Sequence, residues 1–341
     1  MRSRHLRASH SPAIHLTMRI LAAEDQTREY HPEGMCRLFA LHADQPVTAD
    51  LWLLEAPYSL REQSRFNADG TGLGWIDDDG RPQVLRKPVA AYSSPSFSRL
   101  AATLRSRVMI AHVRLSSGSG HTVENTHPFL QDGIITAHNG VLDVTQKMRD
   151  RVRRMGAGGM VHGTTDSEWM SALVTAEVRR HDGDLRAGVQ AALGWIARNV
   201  PVYSVNLLAA KDGELVAVRL PAKNELWVLD RRVGAGTERE ALDQTSSSLH
   251  AHSEDLADTG SVVIASEPMD DDPAWRLMDS GELLHVTADG HAERSFPFPE
   301  LAHSLDIEDL GLSAAASQAH AAQARAHEAR RLAAQSLAAR R

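Results

Sequence analysis

The chain has 341 residues, a formal net charge of -7 and 42% hydrophobic residues, a composition typical of globular proteins and not of disordered or fibrous ones. Its single cysteine excludes an intramolecular disulfide framework and a cysteine-cluster zinc site. No window approaches the roughly 18 uninterrupted apolar residues of a membrane helix, and the acidity argues against a nucleic-acid-binding protein. We therefore expect no nucleic-acid partner, no membrane and a cytoplasmic location.

The two ends of the chain differ from the middle. Residues 1–35 carry five Arg and four acidic residues without a sustained period, and the apolar stretch after the first arginines is too broken for a signal peptide. We interpret them as a leader or a mis-assigned start that is absent from the mature chain. Residues 301–341 are predicted to be an Ala- and Arg-rich, partly helical tail, because Ala321–Arg341 has high helix propensity but only two leucines.

The segment between the ends, 36–300, is predicted to be one α+β domain. Apolar and β-branched runs predict strands, and periodic segments predict helices at about Ser167–His181 and Asp184–Asn199. The Ser- and His-rich stretch Thr245–Asp255 is predicted to be a loop. Antiparallel strands around two helices favour a layered architecture. The apolar runs and strands are, in chain order, Cys36–Ala40, Gly72–Ile76, Gln83–Arg86, Val108–Leu115, Gly133–His138, Val141–Val144, Tyr203–Ala210, Leu215–Leu220, Leu226–Asp230, Ser261–Ala265 and Leu283–Thr287.

Four places in the sequence carry candidate chemistry, and each also has an ordinary structural explanation. Cys36 has the character of a small buried hydrophobe, and Arg114 that of a surface charge at the end of a strand. Asn139-Gly140 stands between two strand-like runs, which is a strong signal for a type I′ hairpin turn. Asp166 lies inside Thr165–Glu168, whose first and last residues form a capping box at a helix start.

Read together and in order, the motifs resemble the class II glutamine amidotransferases, the N-terminal-nucleophile glutaminases. They are most similar to the stand-alone branch that includes the ergothioneine-pathway γ-glutamyl amidohydrolase. The resemblance covers about Cys36 to Phe298 and implies a four-layer αββα sandwich of the N-terminal-nucleophile hydrolase type. The segments that carry it are Met35-Cys36-Arg37-Leu38-Phe39, His112–Gly118, Glu124–Phe129, Ala137–Gly140 and Thr164–Glu168.

The resemblance implies the catalytic residues. Cys36 would be residue one of the mature chain, with its thiolate as the nucleophile and its α-amine, of ordinary pKa about 7.7–8, as the base. The side chain of Asn139 and the backbone N–H of Gly140 would hold the oxyanion. If residues 1–35 are retained, the α-nitrogen of Cys36 is an amide and cannot act as a base.

The resemblance also implies how the substrate is held. Arg114 matches the family arginine that binds the α-carboxylate, for which a bidentate guanidinium is suited. Asp166 matches the aspartate that binds the ammonium. Ser117 follows the arginine where synthase-fused members have an aromatic residue and a Thr-His pair, and it offers a hydroxyl to the substrate. His127 and His138 are expected to order the site through hydrogen bonds.

The implied activity is amide hydrolysis of glutamine or of a γ-glutamyl amide, through a thioester on Cys36 and without a cofactor. The roughly 40 residues after the body are too few for a synthase domain, so a separate ammonia-accepting synthase is left open as a partner. The alternative is a catalytically silent protein of the same fold that binds a γ-glutamyl ligand or recruits a partner.

Two other chemistries have partial signals in the sequence. His250-Ala251-His252 has the spacing of metal ligands, but apart from Glu254-Asp255 no carboxylate motif is near, and we assign no metal. A papain-like hydrolase would use Cys36, His127 and Asn139, but the sequence around Cys36 is not of the papain type.

Overall fold

The computed structural model describes residues 35–56, 58–232 and 259–318, together with the backbone of 242–246 and 249–253. Its strands are β1 (Arg37–Val47), β2 (Gly70–Ile76), β3 (Pro82–Lys87), β4 (Ser106–Arg114), β5 (Phe129–Gln131), β6 (Ile134–Leu142), β7 (Val202–Lys211), β8 (Glu214–Leu220), β9 (Trp227–Asp230), β10 (Leu242–Ser246), β11 (Leu249–Ser253), β12 (Ser261–Ala265), β13 (Arg276–Leu277), β14 (Glu282–Val286) and β15 (Ala292–Ser295). Its principal helices are α1 (Leu60–Gln63), α2 (Pro95–Thr103), α3 (Gln146–Arg154), α4 (Asp166–Arg180) and α5 (Leu185–Asn199).

The strands form two large antiparallel sheets. Within the described residues, the first sheet has the strand order β13-β9-β12-β1-β4-β2-β3 and the second the order β15-β14-β8-β7-β6-β5. Alternate residues of a strand point to opposite faces. Leu38 and Ala40 of β1 therefore meet Ile135 and Ala137 of β6 in an aliphatic layer between the sheets, whereas Phe39 packs on the other face of the first sheet, in the core under α1 and α2.

Helices cover the outer face of the second sheet as well. Met170 and Leu173 of α4 and Val189 and Leu193 of α5 pack in one core with Val205 of β7. The order of layers is thus helices, sheet, sheet, helices. The four-layer αββα sandwich expected from the sequence is confirmed.

Asn139-Gly140 does not form the predicted hairpin turn. Both residues lie inside β6, where Asn139 pairs with Asn206 and Gly140 with Val205 of β7. The φ of Gly140 is 155°, and a Cβ there would lie 1.9 Å from the carbonyl oxygen of Ser204, so only glycine fits. The hairpin prediction is wrong because the ladder to β7 continues through both residues.

The hairpin turn instead lies at Asp132-Gly133, between β5 and β6. Its two residues have φ of 50° and 80°, the pair of positive values that a type I′ turn requires. The same combination recurs at Asp212-Gly213 between β7 and β8, with φ of 50° and 85°. These turns fix the register of the strands that carry the site.

Two further sequence predictions need correction. The stretch predicted as a loop at Thr245–Asp255 includes parts of β10 and β11, which pair with each other as an antiparallel ribbon. The capping box of α4 is half formed. Thr165 accepts the N–H of Glu168 at 3.2 Å, but the carboxylate of Glu168 accepts the N–H groups of His162 and Gly163 at 3.0 and 2.6 Å.

The last part of the described chain runs back over the body. The N–H of Ala302 donates to the carbonyl of Ala197 at 2.8 Å, and the N–H of Leu305 donates to that of Val202 at 2.8 Å. Residues 312–318 then form a short helix. The described residues do not include residues 1–34 of the predicted leader 1–35. They also do not include the tail segment Ala321–Arg341 or the side chains of His250 and His252. Among the described helices, none is both long and apolar enough to cross a membrane.

Candidate active site

All eight residues singled out from the sequence line one cavity of about 40 Å³. They come from the residue before β1, from β4 and β6, from the start of α4 and from loops, so distant parts of the chain meet at one end of the sandwich. The predicted residues in its wall are Cys36, Arg114, Ser117, His127, His138, Asn139, Gly140 and Asp166. The other residues in its wall are Leu115, Ser119, Thr165, Ser167, Ser317 and Gln318.

Cys36 stands immediately before β1. Its Sγ lies 3.3 Å from both the backbone N and the backbone O of Leu115, which follows the neighbouring strand β4. Burial raises the pKa of the Cys36 thiol, while the N–H of Leu115 and the positive charges of Arg114 and Arg37 act to lower it. The nearby cations therefore partly offset the cost of forming a thiolate in a buried position.

Asn139 faces Cys36 from the second sheet. Its Nδ2 donates a hydrogen bond to the backbone carbonyl of Cys36 at 2.8 Å. An amide nitrogen carries two hydrogens, so one N–H remains for a ligand in the cavity. Gly140, the next residue of β6, lines the same cavity and places its backbone beside that amide.

The guanidinium of Arg114 is held by neutral oxygen atoms. Its Nη2 donates to Oγ of Ser119 at 2.5 Å and to Oγ of Ser116 at 3.2 Å, and Nη1 reaches the carbonyl of Asp69 at 3.5 Å. Arg114 is 3% exposed. A buried cation that meets mainly hydroxyl and carbonyl groups can exchange one of them for a carboxylate. Ser117 is exposed on the same loop and lines the cavity.

Asp166 is the first residue of α4, and its carboxylate is fixed by backbone donors. Oδ2 accepts the N–H of Leu142 at 3.0 Å, and Oδ1 accepts the N–H of Ser167 at 2.8 Å. Among the residues in the cavity wall, Arg114 and Asp166 carry the opposite formal charges. Such a pair suits a ligand with one carboxylate and one ammonium group.

The predicted histidines contact polar partners away from the sulfur. His138 Nδ1 lies 2.9 Å from Oγ of Ser167, and His127 Nδ1 lies 3.1 Å from Nε2 of His112. In the described chain, the hydrogen bonds of the Cys36 sulfur go to the backbone of Leu115. This geometry does not support a papain-like pair of Cys36 and His127.

The His112–His127 pair is buried and uncharged at neutral pH. Their rings meet edge to face with centroids 4.3 Å apart. Burial lowers the pKa of His112 to about 3 and that of His127 well below its ordinary value. Close packing around the pair depends on Gly72, where a Cβ would lie 2.1 Å from the carbonyl oxygen of His127. The pair therefore acts as a rigid, neutral support beneath the cavity.

Sequence reasoning missed several residues of the site. Ser116 and Ser119 follow Arg114 so closely that their hydroxyl groups were a usable local signal. Ser317 and Gln318 had no such signal, because they reach the cavity only through the path of the chain in three dimensions.

Known proteins resemble this chain over most of its length. The model of the family "Glutamine amidotransferases class-II" matches residues 35–307. A gamma-glutamyl-hercynylcysteine sulfoxide hydrolase from Mycobacterium tuberculosis is 29% identical over 266 residues, which cover 75% of this chain and 94% of that protein. The protein of the same name from Mycolicibacterium smegmatis is 30% identical over 262 residues, which cover 74% of this chain and 96% of the relative.

A solved structure gives the same fold. The glutamine aminotransferase class-II domain protein from Silicibacter pomeroyi superposes with a TM-score of 0.52 at 19% identity. The match covers 77% of this chain and 100% of that one. At this identity the likeness supports the architecture alone.

Proposed function

The chain belongs to the class II glutamine amidotransferases and is an amidohydrolase of that type, and on this premise we propose that it cleaves glutamine or another γ-glutamyl amide through a thioester on Cys36. The observation that carries the proposal is the shared cavity. It combines a thiol, an amide donor beside that thiol, a buried guanidinium and a fixed carboxylate. These groups match the reacting amide and the two charged ends of an amino-acid head.

The mechanism requires Cys36 to be residue one of the active chain. Its free α-amine would have an ordinary pKa of about 7.7–8 and would take the thiol proton near neutral pH. Residues 1–35 must then be removed or never translated. The match to the family begins at residue 35, which supports this assignment of the start.

The reaction proceeds in two halves. The Cys36 sulfur bonds to the side-chain carbonyl carbon, and the carbonyl electron pair moves to the oxygen, where Asn139 Nδ2–H and the Gly140 N–H stabilise it. The C–N bond then breaks, and the leaving amine departs with the proton from the α-amine. Water attacks the resulting thioester, which releases the γ-carboxylate and restores the thiol.

Substrate binding rests on the charges of the cavity. Arg114 binds the α-carboxylate in place of a serine hydroxyl, Asp166 binds the ammonium, and the hydroxyl of Ser117 adds a hydrogen bond. His127 and His138 hold the surrounding backbone and side chains in place. This recognition concerns only the γ-glutamyl head, so these charges do not distinguish glutamine from larger γ-glutamyl amides.

We propose that the nitrogen product is released to water. The mycobacterial relatives bear the names of hydrolases of a γ-glutamyl compound, which supports hydrolysis over transfer. Delivery of ammonia to a separate synthase is the second possibility. Glutamate release from glutamine at a rate that an added synthase does not change favours hydrolysis, and acceleration by such a synthase favours delivery.

The test is glutamate release from glutamine and from γ-glutamyl thiol conjugates. It compares the chain that begins at Cys36 with the chain that retains residues 1–35, and uses Cys36→Ala as the inactive control. We expect turnover only when Cys36 is the first residue. No release from any of these substrates by that form would refute the proposed activity, and full turnover by Cys36→Ala would refute the nucleophile.

The second candidate function is a silent γ-glutamyl-binding or partner-recruiting protein. The observation in its favour is that Met35 precedes Cys36, so the α-nitrogen of Cys36 is an amide in the chain as written. Tight glutamine binding without turnover, in a protein purified from its own source with residues 1–35 attached, would support this function.

A further inference from the structure

The helix at residues 312–318 forms part of the wall of the catalytic cavity. Ser317 and Gln318 line the cavity together with Cys36, and they are only 7% and 4% exposed. Leu312, at the other end of the helix, is 93% exposed. Burial along this helix thus rises toward the end that meets the cavity.

Contacts on both sides of the cavity position this helix. On one side, Asn224 Nδ2, in the loop between β8 and β9, donates to Gln318 Oε1 at 3.2 Å. On the other side, Ser313 lies against Gly118, because a Cβ at residue 118 would lie 3.5 Å from Ser313 Cβ. Gly118 belongs to the loop that follows β4. The helix is therefore held between the loop after β8 and the loop after β4.

The loop that contacts Gln318 is also linked to the strand beside Asn139. Asn206 pairs with Asn139 across β6 and β7, and its Nδ2 donates to the carbonyl of Glu225 at 2.8 Å. The loop that holds Gln318 is thereby tied to the strand next to the proposed oxyanion donor. Gln318 and Asn139 line the same cavity, and the leaving amine of a bound substrate departs into that cavity.

The cavity is small enough for this part of its wall to affect which substrate fits. Its volume is about 40 Å³, so a substrate that enters contacts the side chains of the wall. Hydrolysis of glutamine releases ammonia, whereas larger γ-glutamyl amides release an amine that needs more room. Ser317 directs its hydroxyl back to the carbonyl of Ala314 at 2.8 Å, which leaves Gln318 as the long polar side chain of this helix at the cavity.

We propose that Gln318 is a specificity-determining residue, which limits the size of the leaving amine and favours ammonia. This inference rests on the proposed function, since it concerns the substrate of the same site. It concerns the choice among γ-glutamyl amides and not the chemical step.

The test compares glutamine with γ-glutamyl-4-nitroanilide, whose leaving amine carries an aromatic ring. Glutamate release gives kcat/KM for both substrates in the full chain, in its active form, with Gln318→Ala, Gln318→Trp and the control Leu312→Ala. We expect Gln318→Ala to raise the ratio of anilide to glutamine by about tenfold and Gln318→Trp to lower it by about tenfold, the scale of small changes in pocket volume. Leu312→Ala leaves the ratio unchanged.

A ratio that stays within about twofold in both Gln318 variants would overturn the inference. If the wild-type chain cleaves neither substrate, the proposed function fails, and the comparison moves to binding. Calorimetry then measures the dissociation constants of both compounds in the Cys36→Ala chain, with and without the Gln318 changes. The ratio of the affinity for the anilide to that for glutamine must shift as expected for kcat/KM. Equal ratios there, or no binding of either compound, also refute the role of Gln318.

Discussion

The side-chain amide of Asn139 donates a hydrogen bond to the backbone carbonyl of Cys36 at 2.8 Å. This contact joins the proposed oxyanion donor to the residue that carries the proposed nucleophile, although the two lie far apart in sequence. It orients the amide before any substrate is present. Preorganised donors of this kind stabilise a transition state without reorganisation during the reaction.

We expect Asn139→Ala to lower kcat by about 10²–10³ with a smaller effect on KM, because one oxyanion donor is lost. Steady-state glutamate release measures this effect, and the melting temperature shows whether the variant is folded. Asn199→Ala, outside the cavity at the end of α5, is the matched control. A folded Asn139→Ala chain with wild-type kcat would exclude Asn139 from the oxyanion site.

Asp166→Asn is expected to act mainly on substrate affinity. The change keeps the shape of the side chain and one of its two acceptor oxygens, so the hydrogen bond from either Leu142 or Ser167 is lost together with the charge proposed to face the ammonium. A hydrogen bond to a charged group contributes about 1.5–3 kcal/mol, so KM should rise by roughly 10–100-fold. The control is Asp182→Asn at an exposed position with φ of 55°, which Asn tolerates. A rise in KM equal to that of the control contradicts the assignment.

The family resemblance and the strand pattern predicted much of the fold and of the candidate site, because both depend on local sequence. The apolar run of β12 was predicted at its observed bounds, and Thr165 caps α4 through a contact only three residues long. The conformation of Asn139-Gly140 could not be found this way, since it depends on pairing with β7. The approach of Gln318 to the cavity depends on the path of the whole chain.

The reactivity of Cys36 should depend on what precedes it. In the chain that retains residues 1–35, burial raises the pKa of the thiol, so the pH midpoint of alkylation by iodoacetamide should exceed the value of about 8.5 for free cysteine. Removal of these residues places an ammonium beside the sulfur and lowers the midpoint. Arg37→Gln in the longer chain should raise it further, because the charge of Arg37 lowers the pKa.

The alkylation experiment reports on Cys36 alone, because Cys36 is the single cysteine of the chain. A midpoint at or below that of free cysteine in the longer chain would show that burial does not control the thiol. Equal midpoints in the two forms would argue against any effect of the new amino terminus.

Acid should destabilise the fold through buried histidines outside the cavity as well as inside it. Burial and the charge of Arg107 lower the pKa of His42 to about 4. The ordinary pKa of histidine is about 6.5. Between pH 6.5 and pH 4, residue 42 is therefore protonated in the unfolded chain and neutral in the folded chain. The stabilisation of the fold that is present above pH 6.5 is lost as the pH falls toward 4. The loss is about 1.4 kcal/mol per pH unit.

We therefore expect His42→Gln to reduce the drop in unfolding free energy between pH 7 and pH 5 by about 2 kcal/mol. Glutamine can still donate to the carbonyl of Gly213, which lies 3.1 Å from His42 Nε2. Urea unfolding at the two pH values measures the drop, and His303→Gln, at an exposed position, is the control. An unchanged drop would mean that His42 is protonated in the folded protein.

The proposed nucleophile precedes a strand of the first sheet, and its proposed oxyanion donors lie in the second. On this assignment, the thickness of the aliphatic layer between the sheets sets the distance between them. Small side chains such as Ala40, Ala137 and Ala217 keep that layer thin. An added methyl group there forces neighbouring atoms to shift, because protein interiors are close-packed. A substitution that touches no substrate atom, such as Ala137→Val, can thus separate Cys36 from Asn139. In this enzyme the core between the sheets is a part of the catalytic apparatus.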